Sequence, residues 1–208
     1  MAITYPLSTP TTGIAQINLI ARNATALTQS PFTYAQQAQR NTGARWEADI
    51  VLPPMKRATA EPWVTFLTKL YGPYGTFLLG DPIGATARGS ASSTPGTPLV
   101  NGASQTGDTL SIDGLPASAT GYLKAGDYIQ LGSGTSTQLY KVLDDVDSNA
   151  SGEADLTIWP DLRSSPANDA TVVVANAKGL FRLSTSASNW TIGTDGFYSM
   201  AFGAVEAL

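Results

Sequence analysis

One helical signature sits inside a chain that otherwise reads as short strands and turns, and this asymmetry narrows the folds open to it. From Arg45 to Asp81 the residues run R-W-E-A-D-I-V-L-P-P-M, then A-E-P-W-V-T-F-L-T-K-L-Y-G, then T-F-L-L-G-D-P. In the first stretch Ala44, Trp46, Ala48, Ile50 and Leu52 share one face, while Arg45, Glu47 and Asp49 share the other. A period of two marks a half-buried strand. Pro53-Pro54 stops it, because proline supplies no ladder donor. In the second stretch Trp63, Phe66, Leu67, Leu70 and Tyr71 fall at i, i+3, i+4, i+7 and i+8, a single apolar stripe on a helix over about residues 60–71. Trp63, Phe66, Leu67 and Leu70 are expected to pack this helix on a sheet; a ligand groove is the other use of such a stripe. Thr59 is the expected N-cap, with Glu61 near the positive end of the dipole, Pro62 in the first turn and Gly72 at the C′ position. Tyr74 to Leu79 reads as a buried strand leading into the turn Gly80-Asp81-Pro82.

The flanking segments set the architecture. Ile17, Leu19 and Ala21 share a face of a strand. Tyr34 to Arg40 is polar and alternating, and Asn41-Thr42-Gly43 is a turn signal, so a hairpin with the strand ending at Leu52 is the simplest pairing. Ile83 to Gly107 is rich in Gly, Ser, Thr and Pro and reads as a flexible crossing between two units. Beyond it, Thr109–Ile112, Asp127–Leu131, Gln138–Leu143, Ala154–Trp159 and Thr171–Ala175 are candidate strands, close enough together for a small barrel. Gly179–Ser184, Trp190–Ile192 and Phe197–Glu206 are aromatic-rich. The last is apolar on both faces and predicts a strand covered on both sides. The expected fold is mainly β: residues 1–85 and 176–208 form a β-sandwich with the one helix, and residues 86–175 form an inserted β-barrel.

Composition removes whole classes of chemistry. The 208 residues include no Cys and no His, which excludes disulfides, thiolate chemistry, His- or Cys-built zinc sites and Ser-His-Asp triads. Asp145, Asp147 and Asn149 match the first positions of an EF-hand loop. Ala150 stands where that loop needs glycine and Leu156 where it needs a bidentate Glu, so a solvated hairpin loop ending at Gly152 is expected, with a weak calcium site as the alternative. Asp49, Asp81, Asp127, Asp161 and Glu206 are scattered and form no paired acid–base motif. No phosphate loop and no nucleophile elbow is present. The chain is therefore expected to be no enzyme, with no cofactor and no metal. Trp159 and Trp190 are candidates for stacking weakly on sugar rings, set against core packing. The net charge of −4 argues against binding driven by phosphate neutralisation. Met1 to Pro10 lacks the basic and apolar parts of a signal peptide, and no apolar run approaches the length of a membrane span. The sequons at Asn23 and Asn189 are then chance matches.

The motifs G-A-R-W-E-A-D-I-V-L-P-P-M (43–55), W-V-T-F-L-T-K-L-Y-G (63–72) and T-F-L-L-G-D-P (76–82) resemble the distal tail proteins of long-tailed, siphovirus-type bacteriophages. L-K-A-G-D-Y-I-Q-L-G (123–132), Q-L-Y-K-V-L-D-D-V (138–146), L-T-I-W-P-D-L-R (156–163) and G-L-F-R-L (179–183) are similar to the same family. The resemblance implies a structural virion protein: a belt domain that forms a homo-oligomeric ring, hexameric or adapted to a trimer, at the distal end of the tail tube. It implies an outward-facing second domain, partners in the tail-tube protein and the tail-tip or hub protein of the baseplate, and passage of DNA without specific binding. It also implies a virion location at the tail tip after synthesis in the host cytoplasm, with no membrane insertion. The family has no active site to carry over. On this reading Tyr34, Arg40, Arg45 and Glu47 in the hairpin and Tyr198 and Phe202 in the last strand are candidates for the subunit interface. The alternatives are a tail-tube or tube-terminator protein, and a carbohydrate-binding receptor module of the tail.

Overall fold

A computed structural model describes residues 3–10 and 13–208. Among them the protein is mainly β with one α-helix. The elements are β1 (Leu7–Ser8), β2 (Gln16–Gln29), β3 (Gln36–Val51), β4 (Met55–Lys56), α1 (Arg57–Lys69), β5 (Phe77–Leu79), β6 (Leu99–Val100), β7 (Thr109–Asp113), β8 (Tyr128–Leu131), β9 (Gln138–Val142), β10 (Ala154–Trp159), β11 (Val172–Val173), β12 (Gly179–Leu183), β13 (Thr191–Ile192), β14 (Phe197–Ser199) and β15 (Ala201–Glu206).

A six-stranded sheet runs in the order β1-β5-β12-β15-β3-β2. Only β1 and β5 are parallel; β15 lies antiparallel between β12 and β3. On β3 and β15, Trp46, Ala48, Ile50, Phe202 and Ala204 face one side, and α1 covers part of it with Trp63, Phe66 and Leu67. A small sheet, β13-β14-β4, holds the segment that leads into α1. A second six-stranded sheet, β11-β8-β9-β10-β7-β6, closes most of a barrel. Its outer strands meet through the Leu99–Thr171 bridge, with Val172 N–H donating to Pro98 at 3.0 Å and Val100 N–H to Ala170 at 2.9 Å.

Two apolar cores result. One draws on residues 46–79 and 177–204 with Tyr128 and Leu139 added from the barrel; the other draws on residues 87–174 alone. Leu110, Ile112, Tyr122, Ile129, Tyr140 and Leu156 fill the second and are fully buried.

Several local expectations give way. Asn41-Thr42-Gly43 is no turn: it lies inside the 16-residue β3, which pairs with β2 over nearly its whole length. The chain reverses at Ser30–Ala35 instead, where Tyr34 N–H donates to the Ser30 carbonyl at 2.9 Å and Tyr34 takes a φ of 56°. Gly43 lies where the ladder is irregular, opposite the step from Arg22 to Ala24, the common meaning of glycine inside a strand.

The helix begins earlier than its apolar stripe. Pairing of Met55 and Lys56 with β14 delivers the chain extended to Lys56, which is the N-cap and makes no side-chain cap bond. Thr59 therefore lies inside the helix, the first turn holds no acidic residue, and Glu61 pairs with Arg57 at 3.0 Å. Pro62 sits in the second turn, where its missing N–H forgoes one intrahelical bond. At the other end Tyr71 is the left-handed residue (φ 50°) and turns outward, leaving the stripe; Gly72 follows with φ +67°. Residues 72–74 form a 3₁₀ turn, so the following strand is shorter than expected.

Ile83 to Gly107 is no free crossing. Ala87 and Ala91 are buried against the barrel, and Ser90 and Ala91 N–H donate to Gly121 and Tyr122, each at 3.0 Å. Small residues permit this approach: a Cβ at Gly89 would stand 2.3 Å from the Tyr122 carbonyl oxygen. Phe197 to Glu206 is not one strand covered on both sides. It breaks at Met200 between two sheets, and on β15 Ala201 is exposed while Val205 is half-buried.

Candidate functional site

The strongest surface feature is the outer half of the β2–β3 hairpin. The inner half packs on α1 and the barrel. From Asn23 to Gly43 the side chains are exposed on both faces, apart from half-buried Ala24 and Ser30. Leu27 is 62% exposed, Phe32 93% and Tyr34 73%. Arg40 is the single charged residue between Asn23 and Gly43; Ala, Thr, Gln and Asn make up most of the rest. This arm owes its shape to the ladder, which continues from Ala24–Asn41 to Gln29–Gln36. An isolated two-stranded ribbon is marginally stable in water, since it has no face to bury.

The root of the arm is tied to the barrel. Arg40 donates to Asp108 at 3.1 Å and also to Asp161. Trp159 Nε1–H donates to Asn23 Oδ1 at 2.8 Å. Asn23 is the residue at the ladder irregularity of β2, so both arm strands are held. Trp159 packs edge-on against Trp46 with ring centres 4.5 Å apart, and Trp46 Nε1–H donates to the Leu139 carbonyl at 3.0 Å. On the uncovered face of the sheet, Arg22 and Arg45 both donate to Glu47. These bonds, Arg22 first, hold the Glu47 carboxyl down at about 2.

The seam between the cores contains a buried ion pair. Glu206 accepts from Arg163 at 2.6 Å and from Trp46 N–H at 2.9 Å. Burial raises the Glu206 pKa, against the opposing pull of the Trp46 N–H and Arg163. Tyr140 O–H accepts from Arg163 N–H at 3.2 Å and donates to Gln138 at 2.6 Å.

The candidate interface residues do not form one patch. Tyr34 has its side chain exposed on the arm turn. Arg40, Arg45 and Glu47 are engaged within their own chain. Phe202 is part of the core, with its ring 6.1 Å from Trp63 and 6.4 Å from Phe77, and Tyr198 packs half-buried beside it. Trp63, Phe66, Leu67 and Leu70 are all buried, as the helical stripe predicts. Trp159 is an internal packing residue; Trp190 keeps an exposed ring. Asn23, Asp108, Asp161 and Arg163 were not singled out as a group by the sequence. The only signal was Arg40, a lone charge in an uncharged stretch.

The Asp145 loop is self-satisfied. Asp145 accepts from Ala125 N–H and pairs with Lys124, Asp147 accepts from Gly121 N–H, and Asn149 accepts from Ser151 and Glu153 N–H. A depression of about 420 Å³ beside it is lined by Asn101, Ser111, Asp147, Asn149, Glu153 and Asp155, and several of these bond to each other. A more apolar depression, about 520 Å³, lies between Leu7, Pro10, Pro62 and Phe66. Among the described residues no group of His, Cys, Asp and Glu has the arrangement of a metal centre, and no helix is long and apolar enough to cross a membrane.

No protein-family model matches the chain, and no curated protein matches it.

Proposed function

We propose that the protein is a structural ring subunit at the distal end of a long viral tail, joining the tube to the tip or baseplate. The observation that carries this reading is the arm. A ribbon of two long strands extends beyond its own core, nearly without charge, with Leu27, Phe32 and Tyr34 exposed. β2 is the edge strand of its sheet, and among the described residues β3 has no second neighbour before Glu47. Both edges of the arm therefore present backbone groups that a further strand can pair. Charge depletion is the composition of interface cores. Neighbouring copies are the natural cover, because a contact between unlike faces of identical chains builds a ring wherever its rotation closes. Such a ring gathers the arms of successive copies, and the net charge of −4 keeps it from gripping a duplex by counterion release. The motif resemblance to distal tail proteins supplies the place in the virion and the expectation of six copies.

Native mass measurement of the purified 21.7 kDa chain, with negative-stain imaging, tests the ring. Closed particles of six copies are expected, and labelling of virions should mark the tail end. A monomer in the virion, or label on the capsid, overturns the reading.

A further inference from the structure

We infer that the barrel is a brace that sets the direction of the arm, with Arg40 and Asn23 as its positioning residues. The inference rests on the reading of the arm as the assembly element.

The arm lacks what would hold it in one direction. Among the described residues nothing packs on either face of its outer half, where Leu27, Phe32 and Tyr34 stay exposed, and a two-stranded ribbon bends and twists readily where its ladder is irregular. That irregularity lies at the arm root, between Arg22 and Ala24. The barrel makes its contacts there, on both strands. Asn23 of β2 accepts from Trp159, and Arg40 of β3 donates to Asp108 and Asp161. The three barrel residues come from one place: Asp108 immediately precedes β7, Trp159 ends β10, which pairs with β7, and Asp161 lies two residues on. Trp159 is itself wedged on Trp46 of the body core, so the brace spans barrel, body and arm.

The chemistry suits positioning. An exposed ion pair alone contributes little, but one guanidinium shared by two carboxylates is a network with a fixed geometry. Asp161 is the better buried of the two, with its side chain 16% exposed against 47% for Asp108. The Trp159–Asn23 bond adds a contact that salt does not screen. Together they restrain rotation of the ribbon about its root, which decides where the tip at Phe32 and the free strand edges arrive at a neighbouring copy.

The test is hydrogen exchange and native mass on the full chain. Three versions are compared: wild type, Asn23→Ala/Arg40→Ala, and Arg40→Lys. In the double variant the arm amides, residues 24–39, should exchange faster by about tenfold or more, while barrel-core amides such as Leu110 and Ile129 keep their protection. Assembly should become heterogeneous or fail. Arg40→Lys should give an intermediate result, because an ammonium lacks the planar fork that serves two carboxylates. Asp108→Asn, at the exposed end of the network, gives the same direction of effect should the double variant misfold. Unchanged arm exchange overturns the brace. A loosened arm with particles of unchanged mass and diameter overturns it also, since assembly would then not depend on arm direction. Failure of wild type to assemble sinks the ring reading instead, and the brace is then decided by arm exchange alone.

Discussion

Arg163 and Glu206 meet at 2.6 Å across the seam, with side chains 12% and 4% exposed. Arg163 lies just beyond the last long strand of the barrel, and Glu206 ends the chain's final strand. The pair therefore joins two separately cored units through charges held out of water. Removing one partner leaves the other buried and uncompensated, which is the costly way to break such a pair.

Arg163→Met should cost roughly 3–5 kcal/mol at neutral pH, and adding Glu206→Gln should recover much of it. The amide still accepts from Trp46 N–H. The single variant should also show a pH dependence of definite sign. Burial raises the Glu206 pKa in the folded state, so this group favours folding below its unfolded pKa and loses that contribution as pH rises through the folded value. Without Arg163 the rise is larger. The gap between variant and wild type should therefore narrow as pH falls into the carboxylate range. Urea unfolding at pH 7 and pH 4 measures it; an equal gap at both means that Glu206 does not carry the charge.

Glu47 has the opposite sign. Bonds from Arg22 and Arg45 lower its pKa from 4.5 to about 2. A depressed carboxyl contributes stability above its unfolded pKa and loses it as pH falls through the folded one. Glu47→Gln should lower the melting temperature at pH 7, and the difference should disappear between pH 4.5 and about 2. Thermal scans across this range check it. A difference that persists at pH 2 points to packing rather than charge.

Leu67 is 1% exposed within the first core. Leu67→Ala should cost roughly 2–5 kcal/mol by denaturant unfolding, the range for deleting a buried leucine side chain. Near wild-type stability would mean that α1 is held by something other than its apolar stripe.

Gly89→Ala tests the packed passage before the barrel. Gly89 has an ordinary φ of −88°, so its cost is contact rather than backbone strain: the new Cβ would meet the Tyr122 oxygen at 2.3 Å. A loss of about 1–3 kcal/mol is expected, as for other over-packed sites. A neutral result would show that residues 87–92 lift away from the barrel at little cost.

Periodicity in the sequence determined the half-buried strand with Trp46, Ala48 and Ile50 on one face, the buried helical stripe, and the run of barrel strands. These follow from side-chain pattern alone, because a period of two or of 3.6 residues places apolar groups on one side whatever lies opposite. Tertiary structure decided what pattern leaves open. Asn41-Thr42-Gly43 has turn chemistry, yet a 14-residue partner strand carries the chain straight through it. Pairing of Lys56 with β14 moved the helix start, since a neighbouring strand 141 residues away fixes the backbone before any local cap can. Ala87, Gly89 and Ala91 read as a flexible crossing but are small because a backbone lies against them. Arg40 with Asp108 and Asp161, and Arg163 with Glu206, were legible only as scattered charges. Ion pairs across such separations have no periodicity, so only the folded chain shows which charges meet.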